Sequence, residues 1–164
     1  MLPLLTRAQM VALDRLTIDE IGIKAPVLME VAGRHVANEV EVFAQDDESP
    51  ILALAGTGHN GADAVVAARH LAERGYSVDV AVIGLQEKLT EDAAAQVAIA
   101  QRLGVNVGFF SPEDVEAALE DLILSAGTVI DGLFGTGLSR PLEGGYQKVV
   151  DLVASRDDLR VVAV

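Results

Sequence analysis

Residues 51–66 read Ile-Leu-Ala-Leu-Ala-Gly-Thr-Gly-His-Asn-Gly-Ala-Asp-Ala-Val-Val, and the fold is worked out from them. Ile51 to Ala55 is apolar throughout, short, and bounded by Pro50 and Gly56, the pattern of a strand buried on both faces of a parallel sheet. Gly56, Gly58 and Gly61 permit positive φ and carry no Cβ, so the backbone of the turn can approach a ligand closely. A helix predicted over Ala62–Arg74 follows, with its first free N–H groups aimed at an anion. Gly56 to Gly61 satisfies G-x-G-x-x-G, a dinucleotide fingerprint that also requires an acid closing the next strand to hold a ribose. That strand, Ser77–Ile83, ends on Gly84, Leu85 and Gln86, and its one acid, Asp79, lies near its start. This weighs against half of an ordinary NAD-dependent dehydrogenase. His59 and Asn60 inside the turn, and Asp63 just after it, are more functional groups than such a turn carries. They point to a site that acts on its ligand.

Upstream, Thr6-Arg7-Ala8-Gln9 has capping-box form, and Met10, Leu13, Leu16, Thr17 and Ile21 follow at helical spacing, which predicts a helix over Thr6–Ile21 ended by Gly22. Pro26 opens a second helix whose apolar stripe takes in Leu28, Val31, Ala32, Val36, Val40 and Phe43, up to the acidic break Asp46-Asp47-Glu48. Downstream, Gly75 closes the helix after the glycine turn. Thr90 caps a helix to Leu103, Val105–Phe110 is a third strand, and Ser111-Pro112-Glu113-Asp114 starts a helix over Val115–Leu124. Thr128–Asp131 is a fourth strand, Gln147–Ser155 a helix, and Leu159–Val164 a last strand. Strict alternation of strand and helix predicts an α/β fold: a Rossmann-like three-layer αβα sandwich on a mainly parallel sheet, with two leading N-terminal helices. In a 3-2-1-4-5 sheet, strands one and four are neighbours, and the loops at 56–63 and 131–141 open into one pocket. The 164 residues are expected to form a single domain, 1–164. Because the last strand is apolar with nothing to cover it, the natural domain is expected to run past Val164.

Twelve Lys and Arg stand against twenty-five Asp and Glu, a net charge of −13, which excludes nucleic acid as the main partner because phosphate binding needs clustered cations. With no cysteine, disulfides and thiolate chemistry are excluded and an intracellular setting is expected. No apolar run reaches membrane-spanning length and the amino terminus lacks the form of a secretion signal, so we expect a cytoplasmic protein without a membrane partner. The excess of arginine over lysine on an acidic background fits either a salt-adapted organism or a GC-rich genome. Either way it bears on solubility rather than fold.

Asp131 closes the fourth strand beside a second glycine-rich loop, Gly132 to Pro141. An Asp before Gly is commonly a turn residue. A carboxylate at the ligand-binding end of a central strand, next to Ser139 and Arg140, favours function. Gly135, Thr136, Gly137 and Ser139 offer phosphate donors, and Arg140 a charge. His59 is either a general base or a turn residue, and Asn60 and Asp63 either act on ligand or cap the helix. His35 and His70 each stand alone, and no spacing of His, Asp and Glu supports zinc. No serine lies in a nucleophile elbow and no G-K-[ST] follows the glycines, which excludes serine hydrolases and P-loop enzymes.

Three segments, in order, resemble the NAD(P)H-hydrate epimerase family, the YjeF amino-terminal domain. Leu28-Met29-Glu30-Val31-Ala32-Gly33 is similar to its LMExAG segment, Gly56 to Asp63 to its G-x-G-N-N-G-G-D turn, and Asp131 with Gly135 to Pro141 to its D-x-x-x-G-T-G-L-x-R-P segment. The resemblance covers the whole chain. It implies interconversion of the R and S epimers of hydrated NADH or NADPH, so that a dehydratase, fused or separate, can repair both. It also implies a potassium ion near the substrate and a homodimer. Carried over by position, Asn60 and Asp131 face the potassium. His59, Asn60, Gly61, Ala62 and Asp63, with Gly135, Thr136, Gly137, Leu138, Ser139, Arg140 and Pro141, face the substrate. Asp131 is the catalytic candidate, as an acid and base or as an ionised support for an iminium intermediate. The chain departs from the family at His59, in place of Asn, and at Ala62, in place of Gly. The family's Asp-Ile-Pro-Ser-Gly stretch, which supplies a substrate contact and a potassium ligand, would begin beyond Val164. These departures keep a second reading in view, a non-catalytic nucleotide-binding or scaffold domain of the same fold.

Overall fold

A computed structural model describes residues 4–44, 48–113, 115–139 and 141–164, with backbone alone for 115–118. Five parallel strands lie in the order β3-β2-β1-β4-β5: β1 (Ile51–Ala55), β2 (Val78–Ile83), β3 (Asn106–Phe110), β4 (Thr128–Gly132) and β5 (Arg160–Ala163). The helices are α1 (Arg7–Arg15), α2 (Ala25–Ala44), α3 (His59–Glu73), α4 (Glu91–Arg102), α5 (Val115–Ser125) and α6 (Gly144–Ala154). The expected fold class and strand order hold. Alternation along β1 separates the two faces of the sheet. Ile51, Ala53 and Ala55 pack with Val40 of α2, Val65 and Leu71 of α3 and Val97 of α4. Leu52 and Leu54 pack with Leu119 and Ile123 of α5 and Val149 of α6. Every residue of β1 is buried, as expected of a strand covered on both faces.

The leading segment departs from the expected single helix. Thr6 caps α1 and both bonds of the capping box form, but the helix widens to a π-helical turn over Leu16–Ile21 before Gly22 ends it at φ 89. At the junction Thr17 Oγ1 donates to Leu13 O at 2.8 Å and so takes up a carbonyl of the helical ladder. No residue of α1 is buried.

The buried stripe of α2 is Met29, Gly33, Ala37, Val40 and Ala44. Only Val40 belongs to the stripe expected from the sequence; Val31 and Phe43 lie outward, 44% and 49% exposed. Small residues win this face because α2 lies close against α3: a Cβ on Gly33 would come within 2.5 Å of Val66 Cβ and 2.9 Å of Asp63 O. The acidic break after α2 falls outside the described residues, apart from Glu48. Glu30 fastens the same pair of helices. It is ion-paired with Arg69, 8% exposed, and its Oε1 lies 2.6 Å from His70 Nε2. His70 is therefore not alone, as the sequence suggested, but belongs to a structural cluster. Burial lowers its pKa, and Arg69 adds to the effect. At the far edge β5 is largely exposed. No helix among the described residues is long and apolar enough to cross a membrane.

Candidate active site

Because β1 and β4 are paired, their carboxyl ends deliver the two glycine-rich segments to one edge. Gly56 N–H donates to Gly132 O at 3.1 Å. A Cβ at Gly56 would collide with Leu133 O, and one at Gly61 with Gly56 O. At Gly132 it would lie 2.9 Å from Asn60 O. Close approach of backbone to backbone therefore accounts for these glycines. None of Gly56, Gly58 and Gly61 has positive φ, so of the two properties read from these glycines it is the missing Cβ that the turn uses.

The helix also begins three residues earlier than expected. Gly58 is the N-cap of α3 and offers no side-chain cap, so the N–H groups of the first turn remain for a ligand. Asn60 and Asp63 do not cap this helix; Asp63 lies a full turn inside it. Asn60 instead reaches across the site, its Nδ2 donating to Phe134 O at 3.1 Å. Its Oδ1 faces Gly135, where a Cβ would stand 3.0 Å away.

Asp131 lies within β4, half-buried. One oxygen makes the turn bond the sequence allowed for, accepting from Leu133 N–H at 3.1 Å. Among the described residues its second oxygen has no partner. The backbone leaving β5 runs beside it, with Val164 N–H donating to Asp131 O at 3.0 Å. Asn60 Oδ1 and the second Asp131 oxygen are hard oxygen donors, of the kind that hold an alkali or alkaline-earth cation. No group of three His, Cys, Asp or Glu that could hold a metal ion exists among the described residues. Hard oxygens of this kind are what a potassium ion would take.

The remaining candidates divide. His59 turns outward, its side chain 70% exposed, with Nε2 3.4 Å from Asp92 Oδ2 on α4. Ala62 is fully buried against Met29, Val66 and Ala93, so a methyl group in place of the family's glycine is accommodated as packing. Burial pushes the Asp63 carboxyl up to about 6; His59 opposes the shift and Asp14 of α1 adds to it. Thr136, Gly137, Leu138 and Ser139 are exposed along the loop, and Arg140 falls outside the described residues.

Leu138 and Pro141 join Phe134, Leu142, Glu143 and Tyr146 in lining a cleft of about 140 Å3. Phe134 and Tyr146 meet edge to face with centroids 5.0 Å apart, and Tyr146 Oη donates to Ile83 O at 3.2 Å. The sequence reading missed Phe134, Tyr146 and Asp92. A signal existed for Tyr146: it is one of two tyrosines in the chain and stands five residues past Pro141, on a helix that starts at Gly144 rather than Gln147.

The model of the family described as YjeF-related protein N-terminus matches residues 25–164, which contain all three motifs and both arms of this site. The chain belongs to that family. Within this YjeF-related N-terminal domain, α1 lies outside the matched segment. An NAD(P)H-hydrate epimerase of Rhodopirellula baltica is 34% identical over 160 residues, covering 98% of this chain and 63% of the relative. A bifunctional NAD(P)H-hydrate repair enzyme, Nnr, of Thermofilum pendens is 38% identical over 142 residues, covering 86% of this chain and 26% of the relative. The chain thus spans roughly three-fifths of the one and a quarter of the other. The crystal structure of yeast ynu0 has the same fold, with a TM-score of 0.87 at 23% identity over 99% of this chain and 70% of that one.

Proposed function

We propose that this domain interconverts the R and S epimers of hydrated NADH and NADPH. The observation that carries this is the Asn60–Phe134 hydrogen bond, which joins the two family motifs into one site. Inverting a hemiaminal carbon requires its hydroxyl to leave and return, with a cationic iminium between. The Asp131 side chain supports that charge. The uncapped start of α3, with the donors of the 135–141 loop, holds the phosphates. Asn60 and Asp131 hold potassium, which when bound supplies a fixed positive charge beside the anionic substrate. The cleft against Phe134 and Tyr146 takes a ring of the nucleotide.

Two partners follow from the same reading. A dehydratase consumes the product epimer; the relative named as a bifunctional repair enzyme supports such a pairing on one chain. A second copy of the domain covers the outward face of α2, where Val27 is 54% exposed beside Val31 and Phe43. Light scattering in ample salt, which screens the self-repulsion of an acidic protein, checks the dimer. The setting that goes with these partners is the cytoplasm.

The deciding assay supplies mixed epimers to a dehydratase specific for one of them, with potassium present. Faster consumption of the other epimer on adding this protein is the expected result. No acceleration leaves the nucleotide-binding scaffold in its place.

A further inference from the structure

We propose that Asp63 carries the proton of the epimerisation, giving it to the departing hydroxyl and taking it back from the incoming water. This rests on the function proposed above.

Asp63 follows Asn60 by three residues and His59 by four on α3, so the three side chains share one face of the helix at its ligand-binding end. Its carboxyl is mostly buried, yet among the described residues it makes no hydrogen bond and no ion pair. A carboxylate held in that state is costly unless its neutral form is wanted. The charged groups acting on it come from two helices. His59 of α3 opposes protonation and Asp14 of α1 favours it, while Asp92 of α4 lies 3.4 Å from His59. On the α2 side Gly33, which brings no charge, lies close to the Asp63 carbonyl. This surrounding keeps an acid that exchanges its proton near neutral pH, where one group can serve in both directions.

The step balances. The Asp63 O–H gives its proton to the hydroxyl oxygen, the C–O bond breaks, and the lone pair of the ring nitrogen forms the C=N bond as water leaves. Water then adds to the opposite face, the C=N pair returns to nitrogen, and the proton released there passes through solvent to restore the acid. Nothing is oxidised or reduced.

The test is kcat/KM for epimerisation against pH, in wild type, Asp63→Asn, Asp14→Asn and His59→Gln, with thermal midpoints on the same samples. Wild-type kcat/KM should hold level at low pH and fall about tenfold per pH unit once the acid ionises. Asp63→Asn should lose on the order of 100-fold or more in kcat, with little change in KM and no midpoint loss, and its pH dependence should vanish. Asp14→Asn should move the fall to lower pH and His59→Gln to higher. An active wild type whose Asp63→Asn variant keeps its rate and profile overturns this proposal alone. An Asp63→Asn variant that fails to fold leaves the decision to the other two, and if neither moves the fall the proposal is overturned. A wild type that epimerises at no pH overturns the proposed function as well.

Discussion

Gly33→Ala tests the contact that places α2 over the site. On an exposed helix the change stabilises by about 1 kcal/mol through propensity. Here the new methyl would lie 2.5 Å from Val66 Cβ and 2.9 Å from Asp63 O, where apolar carbon normally sits at roughly 3.5–4.0 Å. Both neighbours belong to buried or half-buried parts of α3, so relief comes from separating two helices by about 1 Å. Overpacking of that kind costs typically 1–3 kcal/mol, and the missing flexibility of backbone at Asp63 places this case toward the upper end. After the gain in propensity we expect a net loss of about 1–2 kcal/mol. For a domain of this size that lowers the thermal midpoint by about 2–8 °C. Urea unfolding of Gly33→Ala, Val66→Ala and the double variant forms a cycle in which the double should be less destabilised than the sum of the singles, because removing the valine γ-carbons makes room for the methyl. A Gly33→Ala protein more stable than wild type, or strict additivity in the cycle, would refute the packing account.

Asp131→Asn should slow epimerisation on the order of 100-fold while leaving the thermal midpoint unchanged or raised, since the turn bond to Leu133 N–H survives and a costly charge is gone; an unimpaired rate removes Asp131 from the mechanism. Asp63→Asn should stabilise the fold near pH 7. Raising the carboxyl from 3.8 to about 6 corresponds to at most about 3 kcal/mol of unfavourable burial, present above pH 6 and relieved as pH falls toward 4, where the folded state takes up a proton that the unfolded state does not. Midpoints of variant and wild type should therefore converge in acid, and a constant gap would contradict this origin. Glu30→Ala leaves the largely buried Arg69 without its carboxylate, and unfolding should become easier by about 3 kcal/mol or more. A loss under about 1 kcal/mol, the range of an exposed pair, would show that solvent takes the carboxylate's place.

The strand order could be read from the sequence because β1 and β4 carry their own evidence: apolar runs closed by glycine or aspartate, with helical periods between them. Asp131 could be placed for the same reason. The stripe of α2 was misjudged because hydrophobicity alone favours Val31 and Phe43, whereas the face is decided by how near α3 comes, and that selects Gly33 and Ala37. The start of α3 was set too late because a glycine N-cap leaves no side-chain signal, and with it Asp63 was mistaken for a residue of the first turn. Asp92 and Tyr146 join the site through tertiary packing of α4 and α6, which no local pattern announces. His59 was open to reading as a general base or as a turn residue, and its exposure and its approach to Asp92 depend on a neighbour thirty-three positions away.

The central place of β1 also bears on the order in which the molecule is made. Its first partner, β2, follows within thirty residues, but its second, β4, is translated only after α4, β3 and α5. Until then one edge of a wholly apolar strand stands open, the condition in which nascent chains associate wrongly. The bond from Asn60 to Phe134 spans 74 residues, so the pocket closes only with that late pairing. Pulse-labelled amides should therefore gain protection in β2 and β3 before β4, and a chain arrested between these events would carry half a sheet and no site.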